Sequence, residues 1–215
     1  MNNRIRTRVL LVDDHAVVRM GYRTLMESTG DIEVVAEVAS GEEAIRIFAE
    51  VKPQVTIMDL SLPGVSGLEA IRRIIAKYPS AKILAFSMHE DLAFVEQALQ
   101  AGATGYVTKS SAPTILVDAV KTIGGGSIYL DPDIAQKLAF HKTRGPSTPM
   151  SSLSTREFEI FCMLAEGLAV VDIAERLALS AKTVANYTTQ LKSKLEVSSI
   201  AELTRLAIRH GLIEA

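Results

Sequence analysis

Val55-Thr56-Ile57-Met58-Asp59-Leu60-Ser61-Leu62-Pro63-Gly64-Val65-Ser66-Gly67 is the stretch that decides the fold. Residues 55–58 form a short apolar, β-rich run, with Pro53 just before it and Pro63-Gly64 soon after. That pattern suits a strand buried on both faces. An acid, Asp59, stands where the strand runs out. Ser66 lies three residues before Glu69 and predicts a capping box for the helix that follows. Asp59 therefore sits at the carboxyl end of a buried strand, the edge where open α/β sheets place their chemistry.

Outward from that stretch, apolar runs at 9–12, 32–36, 83–86 and 105–107 read as four more strands. Helical periodicity fills 17–26, 42–51, 68–76, 92–101 and 114–123. Strict alternation of this kind predicts a five-stranded parallel sheet with helices on both faces, a doubly wound, flavodoxin-like α/β domain. Ser40 with Glu43 predicts a second capping box, and Gly102 and Gly124 stand where helix C-caps belong. Gly124-Gly125-Gly126 lacks the Gly-Lys-Ser/Thr ending of a phosphate loop and reads as a helix stop.

The strand ends carry a pattern of their own. The first ends in Asp13-Asp14, the third in Asp59, the fourth in Ser87, and the fifth in Thr108 followed by Lys109. Parallel strands share one carboxyl edge, so these side chains converge in one crevice. Three carboxylates crowded together repel unless something cationic sits among them. Oxygen-only ligands in that number suit Mg²⁺ or Mn²⁺, bound by carboxylates together with a phosphate. A lysine supplies a point charge for a phosphoryl oxygen, and a hydroxyl donates to another. Taken singly, each residue has a plainer role: the Asp pair as a turn or cap, Ser87 as a cap, Lys109 as a solvated charge, Tyr106 as a half-buried strand aromatic. It is their joint occurrence, in order, on four strand ends that carries the reading. His15, His89, His141 and His210 show no metal-ligand spacing and read as surface or cap residues.

Composition narrows the class without naming it. The 215 residues, 48% hydrophobic, suffice for one large core or two small ones. Residues 1–140 carry 14 Lys and Arg against 17 Asp and Glu, net −3, and residues 141–215 carry 9 against 8, net +1. That asymmetry is too slight to predict nucleic-acid binding by itself. The single cysteine, Cys162, excludes an intramolecular disulfide and fits a reducing compartment. Arg4, Arg6 and Arg8 give a basic start, but the apolar run 9–12 is too short for a signal-peptide core, and no run approaches a transmembrane span of about 20 residues. A cytoplasmic protein without membrane partners is expected.

Asp131-Pro132 opens a helical run to 140, and residues 141–152 are rich in Pro, Ser, Thr and Gly, which predicts a flexible linker. The expected division is 1–123, a connector at 124–150, and 151–215. The last part reads as four helices. Ser154 and Glu157 cap the first, with Phe158, Phe161, Cys162 and Ala165 inward, so Cys162 is a core residue. Val170, Ile173, Ala174 and Leu177 stripe the second. A tight turn at Leu179-Ser180 leads into a third helix to Leu195, the layout of a helix-turn-helix. On it Val184, Tyr187, Thr188, Leu191 and Leu195 lie inward; Lys182, Ala185, Asn186, Thr189 and Ser193 lie outward. Asn bonds an adenine edge bidentately, Thr reaches a base or a thymine methyl, and lysines anchor phosphates.

Residues 8–123, on Asp13, Asp14, Asp59, Ser87, Tyr106 and Lys109, resemble the receiver domain of two-component response regulators. Residues 151–213, on Leu153-Ser-Thr-Arg-Glu, Ile173-Ala174, Ser180 with Thr183-Val184, Lys194-Leu195 and Gly211-Leu212-Ile213, resemble the LuxR-type output domain of the NarL/FixJ class. The resemblance implies that Asp59 accepts a phosphoryl group from a phosphohistidine on a sensor kinase. It implies that Asp14, Asp59 and the main-chain carbonyl of Ser61 hold Mg²⁺ with support from Asp13, that Ser87 closes on the phosphoryl group, that Lys109 neutralises it, and that Tyr106 swings inward. The helix from Ser180 to Leu195 becomes the recognition helix, with Lys182, Thr183, Ala185, Asn186, Thr189, Lys192 and Lys194 facing duplex DNA. The resemblance further implies that the helix at 199–210 mediates homodimerisation, leaves room for RNA polymerase as a partner, and makes the expected protein a transcription factor and not an enzyme.

The chain departs from the family pattern at three places. Ser110 replaces a proline that is often cis, so no cis bond is expected. Ala185 stands for a usual lysine and Tyr187 for a histidine. Two rivals fit less well: an aspartate-nucleophile phosphatase would want a second acid where Ser61 stands, and a phosphate-blind regulator would not need the acidic pair, serine and lysine together.

Overall fold

The structure, a computed structural model, describes residues 6–143 and 149–213. These residues group into two compact units, one holding 6–90 and 98–136, the other 91–97, 137–143 and 149–213. From residue 7 to residue 124 strand and helix alternate: β1 Thr7–Val12, α1 Ala16–Ser28, β2 Ile32–Val38, α2 Gly41–Val51, β3 Val55–Asp59, α3 Gly67–Lys77, β4 Ile83–Ser87, α4 Leu92–Gln100, β5 Gly105–Thr108, α5 Pro113–Gly124. All five expected strands are parallel, in the order β2-β1-β3-β4-β5.

A sixth strand departs from the expected five. β6, Tyr129–Leu130, extends the sheet beyond β5 with Gly105 opposite Tyr129 and Tyr106 opposite Leu130. The pairing depends on Gly105, where an added Cβ would stand 2.4 Å from the Tyr129 carbonyl oxygen. Two residues between Ile128 and Asp131 carry too little periodicity to be read as a strand.

Every residue of β3, β4 and β5 is buried. On one face Val9, Leu11, Ile57, Leu84, Phe86 and Val107 pack with Met26 of α1 and with Leu116, Val120 and Ile123 of α5. Each such side chain contributes about 1.5–3 kcal/mol by leaving water. The burial explains the largely apolar runs, to which Thr56, fully buried within β3, is an exception.

Of the capping boxes expected at α2 and α3, the serine half forms. The Ser40 and Ser66 hydroxyls accept the N–H groups of Glu43 and Glu69. The Glu43 carboxylate also meets Arg46, and Glu69 is gripped by Arg72 and Arg73. Gly124 ends α5, with Gly125 in the cap position.

After β6 comes α6, Pro132–Thr143, longer than the run read from sequence. Of the expected linker at 141–152, residues 144–148 lie outside the described residues, and Pro149–Ser152 forms a 3-10 turn. The four predicted helices follow: α7 Thr155–Ala165, α8 Val170–Arg176, α9 Ala181–Lys194 and α10 Ile200–Arg209. α7 has both halves of its capping box and packs on α8, α9 and α10. Phe158, Phe161, Ile173, Val184, Leu191, Leu203 and Ala207 form the buried interior. Cys162 is buried there, and burial pushes its thiol pKa far up, as for a packed rather than a reactive group. No helix among the described residues is long and apolar enough to cross a membrane.

Gly67, the first residue of α3, lies against the end of β3. Its N–H donates to the Leu60 carbonyl at 3.1 Å, and a Cβ there would fall 1.9 Å from the Asp59 carbonyl oxygen and 2.6 Å from the Leu60 Cα. Both neighbours are backbone and cannot rotate away. Gly67→Ala therefore costs about 1–3 kcal/mol through overpacking, read as a lower urea midpoint with an unchanged slope.

Candidate functional site

The strand ends meet as predicted. Asp59, the last residue of β3 and 1% exposed, uses Oδ1 to accept the Ser61 N–H at 3.0 Å. Its Oδ2 accepts a hydrogen bond from the Lys109 Nζ at 2.6 Å. The same ammonium donates to Asp13 Oδ2 at 2.7 Å. Asp13 Oδ1 accepts the His15 N–H at 2.8 Å, while the Arg19 guanidinium donates to the Asp13 main-chain carbonyl. Lys109 thus bridges two buried carboxylates carried by different strands, over the ring of Phe86. Burial works against its charge, but the hydrogen bonds and charges of Asp13 and Asp59 hold the Lys109 pKa above the usual lysine value.

The neighbouring strands complete the edge. Ser87 ends β4, one residue beyond the Phe86 that pairs with Asp59, and stands opposite Thr108. Its hydroxyl accepts the His89 N–H at 3.2 Å, and its carbonyl accepts the Lys109 N–H at 2.8 Å. Tyr106 is fully buried, with its hydroxyl donating to the His89 carbonyl at 2.7 Å. Burial lowers the pKa of His89 against the opposing pull of the Asp59 charge. Ser110 makes use of the missing proline: its hydroxyl donates to Glu90 at 2.8 Å and lies 2.9 Å from that of Thr108. The described residues contain no cis peptide.

The pocket fits a divalent cation. Asp13, Asp14, His15 and Asp59 each offer a ligand atom, and these atoms lie within 4.8 Å of one another. Asp14 Oδ1 is buried with no hydrogen-bond partner. Unlike the expected all-oxygen set, the group includes His15, read from sequence as a surface or cap residue. His15 does hold the N-cap position of α1, but its side chain makes no capping bond and turns toward the acids. The available signal was its place directly after the acidic pair.

In the second unit, α8 and α9 are joined by a turn in which Ala178 takes a left-handed φ of 51°. Ser180 caps α9 by accepting the Thr183 N–H at 3.0 Å, and the two hydroxyls lie 2.8 Å apart. Val184, Leu191 and Leu195 are buried and Tyr187 and Thr188 half-buried, whereas Lys182, Ala185, Asn186, Thr189 and Ser193 are exposed on one open face. Lys192 is half-buried. Lys194, exposed in its stem, has its ammonium 2.7 Å from Glu157 Oε2, on the carboxylate that closes the α7 capping box. The sequence put Lys194 with the DNA-facing residues and gave no hint of this partner, 37 residues away.

Comparison with known proteins places both halves. Residues 9–121 match the response regulator receiver domain, and residues 151–207 match the LuxR family of bacterial regulatory proteins. The chain is 43% identical over 208 residues to the transcriptional activator protein ExaE of Pseudomonas putida, covering 95% of this chain and 97% of that one. It is 41% identical over 209 residues to the response regulator UvrY of Escherichia coli K12, covering 96% of each. Among solved structures it resembles RcsB of Salmonella enterica serovar Typhimurium bound to promoter rprA in the presence of phosphomimetic BeF₃⁻, with a TM-score of 0.72 at 27% identity over 94% of this chain and 98% of that one.

The Glu157–Lys194 pair sets a pH dependence. Burial raises the Glu157 pKa, but the hydrogen bonds from Lys194 and Ser154 outweigh it and hold the carboxyl below the usual range. A depressed carboxylate contributes stability that is present above its unfolded pKa and lost as pH falls through the folded value. With Lys194 partly exposed, the pair contributes about 0.2–1 kcal/mol. Lys194→Met should lose that amount in neutral urea unfolding, and the gap to wild type should close below about pH 4.

Proposed function

The chain belongs to the NarL/FixJ family of response regulators, transcription factors that join a receiver to a LuxR-type DNA-binding domain, and from that premise we propose that phosphorylation of Asp59 controls its binding to promoter DNA. The observation that carries the proposal is the Lys109 ammonium shared between Asp13 and Asp59 at the carboxyl edge of the sheet. An Asp59 oxygen attacks the phosphorus of a phosphohistidine on a sensor kinase, the P–N bond breaks, and the imidazole leaves. Asp14, Asp59 and the Ser61 carbonyl, with support from Asp13, would hold Mg²⁺, which would supply positive charge to neutralise the phosphoryl oxygens. Lys109 moves from carboxylate pairing to the new phosphoryl oxygens, Ser87 donates a hydrogen bond to another, and Tyr106 with the loop at 88–90 repacks.

The division into a receiver at 1–123, a connector at 124–150 and an output domain at 151–215 assigns these roles along the chain. Lys182, Thr183, Ala185, Asn186, Thr189, Lys192 and Lys194 form the DNA-facing set on α9. Lys194 reaches a phosphate only by leaving Glu157. Phosphorylated copies pair through α10 on inverted half-sites, about one turn or a shorter spacing apart, and engage RNA polymerase in the cytoplasm. The RcsB relative bound to promoter rprA with a phosphomimetic supports this coupling, and the relatives named as a transcriptional activator and a response regulator support a regulator over a phosphatase.

Two measurements test the reading. Incubation with acetyl phosphate and Mg²⁺ should add one phosphoryl group to the intact mass, lost in Asp59→Asn. Rapid turnover of the donor without an adduct would favour the phosphatase, and no adduct at all a phosphate-blind regulator. On DNA, Asn186→Ala should cost about 1–3 kcal/mol at the specific site alone, while Lys192→Ala should weaken all sequences and reduce the salt slope by about 1. Equal loss on specific and random DNA in the Asn186 variant would remove Asn186 from base reading.

A further inference from the structure

We infer that His15 turns the acidic pocket into a mixed nitrogen and oxygen site, one that takes Co²⁺ and Ni²⁺ through the imidazole far more tightly than an all-oxygen pocket would. The inference deepens the metal reading above and rests on it. Its first support is distance. His15 Nδ1 lies 2.8 Å from Asp14 Oδ1 and 3.4 Å from Asp13 Oδ1. In an octahedral site with bonds of about 2.1 Å, adjacent ligand atoms stand about 3 Å apart. Asp14 Oδ1 and His15 Nδ1 are therefore spaced as neighbouring ligands of one ion.

The second support is the state of that oxygen. Asp14 Oδ1 is buried, with His15 Nδ1 beside it at 2.8 Å as its ion-pair neighbour. A cation between the two atoms takes the place of the proton that this contact otherwise needs and satisfies the buried oxygen at the same time.

The third support is how His15 is held. Its N–H is fixed on Asp13 Oδ1, its carbonyl accepts the Arg19 N–H at 3.0 Å, and it stands at the N-cap of α1 without spending its ring on a capping bond. The ring therefore turns about a fixed backbone, with 68% of its side chain open for an ion to approach. Asp13, Asp14, His15 and Asp59 are the one group of three or more metal-ligating side chains that close among the described residues. Imidazole favours Co²⁺ and Ni²⁺, which also stand higher than Mn²⁺ in intrinsic affinity, whereas Mg²⁺ is indifferent to a nitrogen donor.

Calorimetric titration of the full-length, tag-free protein with Mg²⁺, Co²⁺ or Ni²⁺ alone tests this, with the visible absorption of Co²⁺ as a second readout. His15→Ala should weaken Co²⁺ and Ni²⁺ by about tenfold or more, shift the Co²⁺ bands toward those of an all-oxygen site, and leave Mg²⁺ within about twofold. The retained Mg²⁺ affinity doubles as the check that the variant is folded. Equal losses for all three ions, or unchanged Co²⁺ affinity and bands, would overturn the role of His15 while leaving the Mg²⁺ pocket intact. Absence of Mg²⁺ binding in the wild type would instead overturn the metal reading beneath it.

Discussion

The fold depends on one balance of charge. Asp13 and Asp59 are almost wholly buried, on strands adjacent in the sheet, and the Lys109 ammonium donates to both. Burying either carboxylate alone would cost several kcal/mol, and removing one partner of a buried pair leaves the other uncompensated. The arrangement exists because a parallel sheet gathers its carboxyl ends on one edge, and because Gly67 lets α3 start against the Asp59 backbone. It also brings in a third carboxylate, Asp14, whose buried Oδ1 lies 2.8 Å from His15 Nδ1. Two acids sharing one ammonium beside a third acid leave an excess of negative charge that suits a divalent ion.

Around that balance the chain has built a hydroxyl network. Ser110 ties Glu90 to Thr108, Thr108 lies 2.7 Å from Ser111, and the Ser111 hydroxyl donates to Asp131. Asp131 accepts the Asp133 N–H at 3.0 Å at the start of α6, and its own N–H donates to the Tyr106 carbonyl at 2.9 Å. Thr108 and Asp131 are buried and Ser111 half-buried, so these must find partners inside the protein, while Ser110 and Glu90 close the network at the exposed surface. A proline at 110 would have supplied neither hydroxyl nor flexibility. The serine therefore changes the local bonding and not only the peptide geometry.

Much of this was legible in the sequence because burial and periodicity wrote it there. The apolar run at 55–58 has only one use in a chain that alternates strands with helices, and the polar types at four strand ends converge by topology alone. The features that escaped have physical reasons. β6 is a two-residue pairing made possible by the absent side chain at Gly105, a tertiary fact with no period. His15 was discounted because spacing rules look for separated ligands, whereas here a backbone turn at an N-cap folds the next residue back onto the acids. Lys194 looked like one more basic residue on a DNA-facing helix because its partner, Glu157, already had a local task in the α7 cap, and sequence gives no sign that one carboxylate serves both.

That double use bears on how the output domain grips DNA. The part of the chain at 141–215 carries a net charge of only +1, and one of the α9 lysines, Lys194, is paired with an internal carboxylate. On the proposed reading, Lys182 and Lys192 are left as the ready phosphate anchors of α9, and Ala185 offers no charge. Few neutralised phosphates mean little counterion release, hence weak non-specific binding and a shallow salt dependence for a single copy. Affinity must then come from base contacts by exposed residues such as Asn186 and from joining two copies on one site, where the second contact is made at high effective concentration. On the proposed reading, a weakly charged reader of this kind gains most from pairing, and phosphorylation of Asp59 would then be a sharper control than over a strongly basic domain.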